Sequence, residues 1–232
     1  MGLRDLGINV KTSQRPLDIV YVIDVSGSME RDKIQSVNYA MHELESALRD
    51  EAKKNPGAQV NIRILTFGDA AAKWHLGSAT NKTPIESFRY TDINSVYGGT
   101  PLGSAFNVLN VTFSDESHIP SNSLRPIVVL LSDGLPTDNY AGNLQKFLSL
   151  RWGKKALKVA VAIGRDADRE VLAEFTQDPS LVFEVNNPTA LINFIRWTSS
   201  LVTHVSQPTN GDNRANIIKA AKSVLTDEGD FM

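Results

Sequence analysis

Three short patterns carry the residues that could do chemistry. The first is Asp24-x-Ser26-x-Ser28, three oxygen-bearing side chains two residues apart. In an extended backbone alternate side chains point the same way, so the three can converge on one point. Gly27 allows the tight bend between the two serines. The second is Thr100, after Gly98-Gly99 and before Pro101. The third is Asp133-Gly134, which follows an apolar run at once. Every candidate donor is oxygen, which suits a hard cation such as Mg²⁺, with near-octahedral geometry and some retained water. Mn²⁺ would fit the same oxygens. Each pattern also has a plainer reading. Ser26 or Ser28 could cap the following helix, and so could Thr100 before Pro101. Asp133-Gly134 is also a turn signal.

The elements that must position these residues are legible as alternating apolar runs. Leu17 to Ile23 is a nearly unbroken β-branched stretch, as in a strand buried on both faces of a parallel sheet. Ile34, Val37, Met41, Leu44 and Leu48 recur at helical spacing. Val60 to Phe67 reads as a strand, and Ala70 to Leu76 as an antiparallel edge strand with Trp74 and Leu76 on one face. Thr83 to Ser95 reads as an irregular crossing. Leu102, Phe106 and Leu109 mark a helix, and Phe113 to Arg125 a polar loop. Pro126 to Ser132 is a strand. Leu144, Phe147, Leu148 and Trp152 mark one helix. Leu157 to Ile163 is a strand, Val171, Leu172 and Phe175 a short helix, and Leu181 to Val185 a last strand. Leu191 to Val202 carries the last helix of the main unit.

This alternation predicts an α/β fold, a doubly wound and mostly parallel sheet with helices on both faces and one antiparallel edge strand. In such sheets ligands bind at the carboxyl ends of the strands, where strand order reverses. Asp24 and Asp133 would each sit one residue past a buried strand, at that crevice. Thr100 joins them if its loop crosses the same edge. The expected organisation is an N-terminal arm over 1–16, one domain over 17–204, and a linker, amphipathic helix and acidic tail over 205–232. In the tail, Asp212 could cap a helix with Ile217, Ala221, Val224 and Leu225 on one face, docked on its own domain or on a partner.

The 232 residues suffice for one large domain with a tail, and at 41% hydrophobic and 22% charged they can build a full core. A net charge of −2 argues against nucleic-acid binding by phosphate neutralisation. Without cysteine there is no disulfide and no thiolate metal site. Residues 1–15 lack an apolar signal core, and no run approaches a membrane span. A cytoplasmic, non-membrane protein is expected.

Taken together, Asp24-x-Ser26-x-Ser28, Thr100 and Asp133-Gly134 resemble the von Willebrand factor A (vWA) domain and its metal-ion-dependent adhesion site (MIDAS), over about Leu17 to Thr203. The stretches Gly99-Thr100-Pro101-Leu102-Gly103 and Leu131-Ser132-Asp133-Gly134-Leu135-Pro136-Thr137-Asp138 resemble most a bacterial tellurium-resistance-associated (TerY-like) group. The resemblance implies that Ser26 and Ser28 bind Mg²⁺ through their hydroxyls. It implies that Thr100 binds directly or through water, and that Asp24 and Asp133 hold coordinating waters. One vertex would then be open to an Asp or Glu of a protein partner. With the carboxylates acting through water, the cation keeps much of its charge and favours an incoming carboxylate. The narrower resemblance implies a stress-response or phage-defence assembly associated with a kinase and a phosphatase. Asp138 and Asp69 read as solvated loop residues, or else as further rim carboxylates.

Enzymatic readings are weaker. A Mg²⁺-dependent hydrolase or phosphotransferase with an Asp nucleophile would need a second carboxylate at position 26, which is Ser26. No Gly-Lys-Ser/Thr phosphate loop and no Gly-x-Ser-x-Gly elbow occurs. His42, His75, His118 and His204 show no zinc spacing. A non-enzymatic interaction module is expected, with a scaffold whose metal site is vestigial as the other alternative. The acidic tail of one copy could also reach the metal site of another.

Overall fold

A computed structural model describes residues 14–165, 167–207 and 214–225. Asp212 and the acidic residues Asp227, Glu228 and Asp230 lie outside the described residues. Seven strands form one sheet: β1 (Arg15–Asp24), β2 (Ala58–Gly68), β3 (Ala71–Leu76), β4 (Thr83–Pro84), β5 (Ile127–Ser132), β6 (Leu157–Ile163) and β7 (Val182–Val185). The order is β3-β2-β1-β5-β6-β7, with the two-residue β4 also on β2. β1, β2, β5, β6 and β7 run parallel, while β3 and β4 pair antiparallel with β2.

The unbroken apolar run of β1 serves two cores. Leu17, Ile19, Tyr21 and Ile23 enter one; Val20 and Val22 enter the other. The first core is covered by α1 (Asp32–Lys54), α6 (Pro188–Thr198), α7 (Leu201–Ser206) and α8 (Arg214–Leu225). The second is covered by α2 (Leu102–Ser114), α3 (Ala141–Ser149), α4 (Arg151–Lys155) and α5 (Arg169–Thr176). The sheet is therefore doubly wound. The crossover after β1 uses one face and α2, leading into β5, uses the other, so strand order reverses between β1 and β5.

Local departures from the sequence pattern have physical causes. β1 begins two residues before the apolar run, because Arg15 continues the ladder opposite Ala58 and its guanidinium donates to the carbonyls of Asn122 (2.9 Å) and Ser123 (3.1 Å). Trp74 and Leu76 do not share a face. The register with β2 shifts between Ile64 and Leu65, which sends Trp74 to one core and Leu76 to the other. The helix expected from Leu144 to Trp152 is two, α3 and α4, separated by an extended Leu150 at φ −63°, ψ 145°. The last helix also divides: Ser199 and Ser200 donate to carbonyls three residues back, at Arg196 and Trp197, and tighten the turn between α6 and α7. The stretch expected as a polar loop begins inside α2, where Phe113 is buried, and Ile119 and Leu124 further along are core residues. Leu181 belongs to a short 3₁₀ turn over Pro179–Leu181 rather than to β7. In α8, Ile217 and Ala221 are buried against the rest of the chain.

Candidate metal centre

The carboxyl ends of β1 and β5 lie side by side where strand order reverses. Asp24 is the last residue of β1, and Asp133 directly follows β5. Both are buried, at 0% and 1% exposure, in a chain region otherwise packed with apolar side chains. The Ser26 N–H donates to Asp24 Oδ1 at 2.9 Å. The Ser26 and Ser28 hydroxyls are 3.1 Å apart, and the Ser28 hydroxyl donates to Asp133 Oδ1 at 2.7 Å. A continuous chain of contacts thus runs from Asp24 through Ser26 and Ser28 to Asp133, across 109 residues of sequence numbering between its ends.

Thr100 reaches the same place from a different loop. A Cβ added to Gly134 would stand 3.2 Å from Thr100 Oγ1 and 3.5 Å from Ser28 Oγ. The two hydroxyls therefore face one glycine, which leaves open a space that a methyl group would crowd. The Thr100 loop is tied down by backbone bonds. Val96 N–H donates to Val25 O (2.7 Å), Gly27 N–H to Gly98 O (3.3 Å) and Thr137 N–H to Thr100 O (3.0 Å). Gly98 adopts φ +125° beside Asp69, a conformation suited to glycine.

The plainer capping readings do not describe what these side chains do. Ser26 precedes the 3₁₀ turn Gly27–Met29 with no side-chain cap bond. α1 has Arg31 at its N-cap, and α2 has Pro101, again without a side-chain cap. The three hydroxyls of Ser26, Ser28 and Thr100 are thus not engaged in ending a helix, and face the carboxylates or the Gly134 space instead.

Electrostatically the edge is charged and half-compensated. Burial pushes the Asp24 carboxyl above the usual carboxylate range; bonds from Ser132 and Ser26 oppose this, and Asp133 adds to it. The donors on Asp24 are neutral. Asp133 also receives the Lys33 ammonium on Oδ2. Among the described residues no group of three or more His, Cys, Asp or Glu is placed to hold a metal ion. The set at this edge has two carboxylates and three hydroxyls, a donor chemistry that fits a hard cation rather than a soft one.

Two residues here escaped the sequence reading, and a third, Asp138, plays a role other than the two expected of it. Ser132 donates to Asp24 Oδ2 at 2.6 Å; its signal was a lone hydroxyl closing an otherwise apolar strand. Lys33 is the second residue of α1, where a cation opposes the helix dipole, and that misplacement was its signal. Asp138 is neither a rim carboxylate nor a solvated loop residue. Its Oδ1 and Oδ2 accept from the N–H groups of Gly103 (2.8 Å) and Ser104 (2.9 Å), capping α2 from a neighbouring loop. Asp69 is exposed, at φ 54°, and bridges to Gly99 through the backbone. Two large apolar side chains stand exposed beside the centre in sequence, Tyr97 at 85% and Leu135 at 65%. Among the described residues no helix is long and apolar enough to cross a membrane.

The von Willebrand factor type A domain family model matches residues 18–197. The inter-alpha-trypsin inhibitor heavy chain H6 of Homo sapiens is 27% identical over 173 residues, 67% of this chain and 12% of that protein. The collagen alpha-2(VI) chain of Gallus gallus is 20% identical over 197 residues, 80% of this chain and 19% of that protein. The chain therefore spans less than one fifth of the length of these relatives. Among solved structures, a von Willebrand factor type A protein from Catenulispora acidiphila has a TM-score of 0.60 at 18% identity, covering 82% of this chain and 43% of that one. Proximal thread matrix protein 1 from the mussel byssus, in a structure with a zinc-occupied MIDAS motif, has a TM-score of 0.59 at 17% identity, covering 82% and 46%. At these identities the structural likeness shows the fold. The family match and the doubly wound sheet agree, and this chain belongs to the von Willebrand factor type A domain family.

Proposed function

We propose that this chain is a divalent-cation-dependent protein-interaction module. In this reading Ser26, Ser28 and Thr100 hold the cation through their hydroxyls, and Asp24 and Asp133 support it with negative charge from behind. The carrying observation is the contact chain Asp24–Ser26–Ser28–Asp133, whose first link is the Ser26 N–H on Asp24 at 2.9 Å and whose next two, at 3.1 and 2.7 Å, are made by hydroxyls that cap no helix. Mg²⁺ is the expected ion and Mn²⁺ the alternative; either would supply a positive centre that prefers a partner's Asp or Glu carboxylate. Tyr97 and Leu135, exposed and three and two residues along the chain from Thr100 and Asp133, add apolar surface that a protein partner could cover.

The reading includes no catalytic residue. Its cellular setting follows the TerY-like resemblance: a cytoplasmic stress-response, tellurium-resistance or phage-defence assembly, with a kinase and phosphatase pair among the candidate partners. The zinc-occupied MIDAS motif of the mussel protein supports a metal at such a site in that protein. Self-association, with the acidic tail of one copy on the metal of another, is a further part of the proposal.

The test is a Mg²⁺ titration of metal-free protein followed by melting temperature and calorimetry, beside Asp24→Ala. Saturable stabilisation in the native protein and none in Asp24→Ala is expected. Equal behaviour of the two would favour a scaffold with a vestigial site. Capture of an acidic protein partner is expected to disappear with EDTA and in Ser26→Ala, Ser28→Ala and Asp133→Ala, with the fold retained. Capture that persists with EDTA would refute the cation-dependent mechanism.

A further inference from the structure

The opposite end of the sheet carries a second concentration of charge. A cavity of about 290 Å³ is lined by Arg125, Lys154, Lys158, Thr176, Gln177 and Arg214 with three apolar residues. A neighbouring cavity of about 480 Å³ shares Arg125 and Lys154 and adds Arg15 and Lys155. Among the described residues neither lining contains an Asp or Glu. Six cationic side chains thus surround two adjoining cavities in a chain whose net charge is −2.

Lys158 is the unusual member. It is the second residue of β6 and is 6% exposed. Its ammonium donates to the carbonyls of Gly153 (3.0 Å) and Ala156 (3.4 Å), which are neutral acceptors at the end of α4. Burial, then the guanidinium groups of Arg125 and Arg214, push it down to about 8. Among the described residues no carboxylate opposes that shift. Asp178 lies close by, but its Oδ2 bonds Arg214 at 3.1 Å and its Oδ1 accepts from Ser180. Two helix-end carbonyls account for a well-placed lysine. They do not account for the gathering of further cations around the same cavity, which raises the cost of keeping a buried ammonium charged.

We propose that this basic end binds a multivalent phosphate oxyanion, with one phosphoryl group between Lys158 and Lys154 and a second directed to the cavity of Arg15 and Lys155. Arg125 and Lys154 border both cavities, so a diphosphate can touch both while a single phosphate reaches one. Charge-assisted bonds to a phosphate are the strong kind, and a partly buried setting screens them little. The site is independent of the metal centre, because it draws on the amino ends of β5 and β6, not the carboxyl ends of β1 and β5.

The probes are inorganic phosphate and pyrophosphate, in metal-free buffer at ionic strength held constant with chloride, read by calorimetry and by melting temperature. Saturable binding is expected, with pyrophosphate roughly tenfold or more tighter than phosphate. Lys158→Met and the exposed-site variant Lys154→Ala should each weaken pyrophosphate by roughly tenfold, while Asp24→Ala leaves it unchanged. Lys154→Ala carries the test should Lys158→Met fail to fold. Binding that is unsaturable, or equal in the native protein and both lysine variants, overturns the proposal. Loss in Asp24→Ala also overturns it, since the anion would then act through the metal centre.

Discussion

Asp18 and Asp24 stand on the same strand, both buried, with burial the largest cause raising each carboxyl above its usual range. Their surroundings differ. Asp18, at the amino end, has a built-in counter-ion: Arg63 Nη1 donates to its Oδ1 at 2.7 Å, and Lys82 lies 3.6 Å from Oδ2. Arg63 is itself 0% exposed and donates through Nε to Ser78 O. Among the described residues Asp24, at the carboxyl end, receives neutral donors, the Ser26 N–H and the Ser132 hydroxyl. The Asp18 pair is closed and acts as a fastening between β1, β2 and the 78–82 loop. The Asp24 carboxylate is open toward hydroxyls and a glycine space, and the Lys33 ammonium at this edge sits on Asp133 instead. A buried carboxylate signals function when its compensation is missing from the chain, not merely because it is buried.

The largest expected effect would break the closed side of this comparison. Arg63→Met should destabilise by about 3–5 kcal/mol, because it leaves Asp18 buried without a partner. Asp18→Leu combined with Arg63→Met should recover most of that loss, measured by urea denaturation. Failure of the double variant to recover would mean that the pair does more than neutralise itself.

A smaller effect sharpens the open side. Lys33 places an ammonium on Asp133, with the lysine side chain 36% exposed and Asp133 0%. It competes for the charge that would support a divalent ion. Lys33→Met is expected to raise Mg²⁺ affinity a few-fold, by about 1 kcal/mol after screening by solvent. Calorimetry that finds weaker binding would show Lys33 to be a positioning residue for Asp133 instead.

A further effect concerns pH at the basic end. The Lys158 ammonium is lowered from 10.5 to about 8 in the fold, so the unfolded chain binds the extra proton more readily. Below pH 8 both states are protonated and the penalty is complete; between about 8 and 10.5 stability should rise with pH as the folded state escapes it. In thermal melts across that window, Lys158→Met should flatten the rise. An unchanged slope would place the proton elsewhere.

The strand and helix types were legible in the chain because β1, β5 and β6 are buried on both faces and read as continuous apolar runs. Boundaries were less so. The break at Leu150 depends on how Gly153 meets Phe147, where a Cβ would come within 2.0 Å of the Phe147 carbonyl, a tertiary contact invisible to periodicity. The bulge that separates Trp74 from Leu76 is likewise a property of pairing with β2. The roles of Ser132 and Lys33 were missed, and that of Asp138 misassigned, for a common reason: each acts on a residue distant in sequence, at Asp24, Asp133 and the α2 N-terminus.

The sequence alone determined the alternation of elements, the oxygen character of the candidate site and the places along the chain where its members stand, since these follow from residue type and local period. Tertiary structure decided that the reversal of strand order falls between β1 and β5, bringing Asp24 and Asp133 side by side, and that the Ser26, Ser28 and Thr100 hydroxyls meet one another, Asp133 or the Gly134 space instead of capping helices. It also gathered Arg15, Arg125, Lys154, Lys155, Lys158 and Arg214 at the far end. Charges at the ends of different elements have no shared period, and only packing brings them within reach of one another.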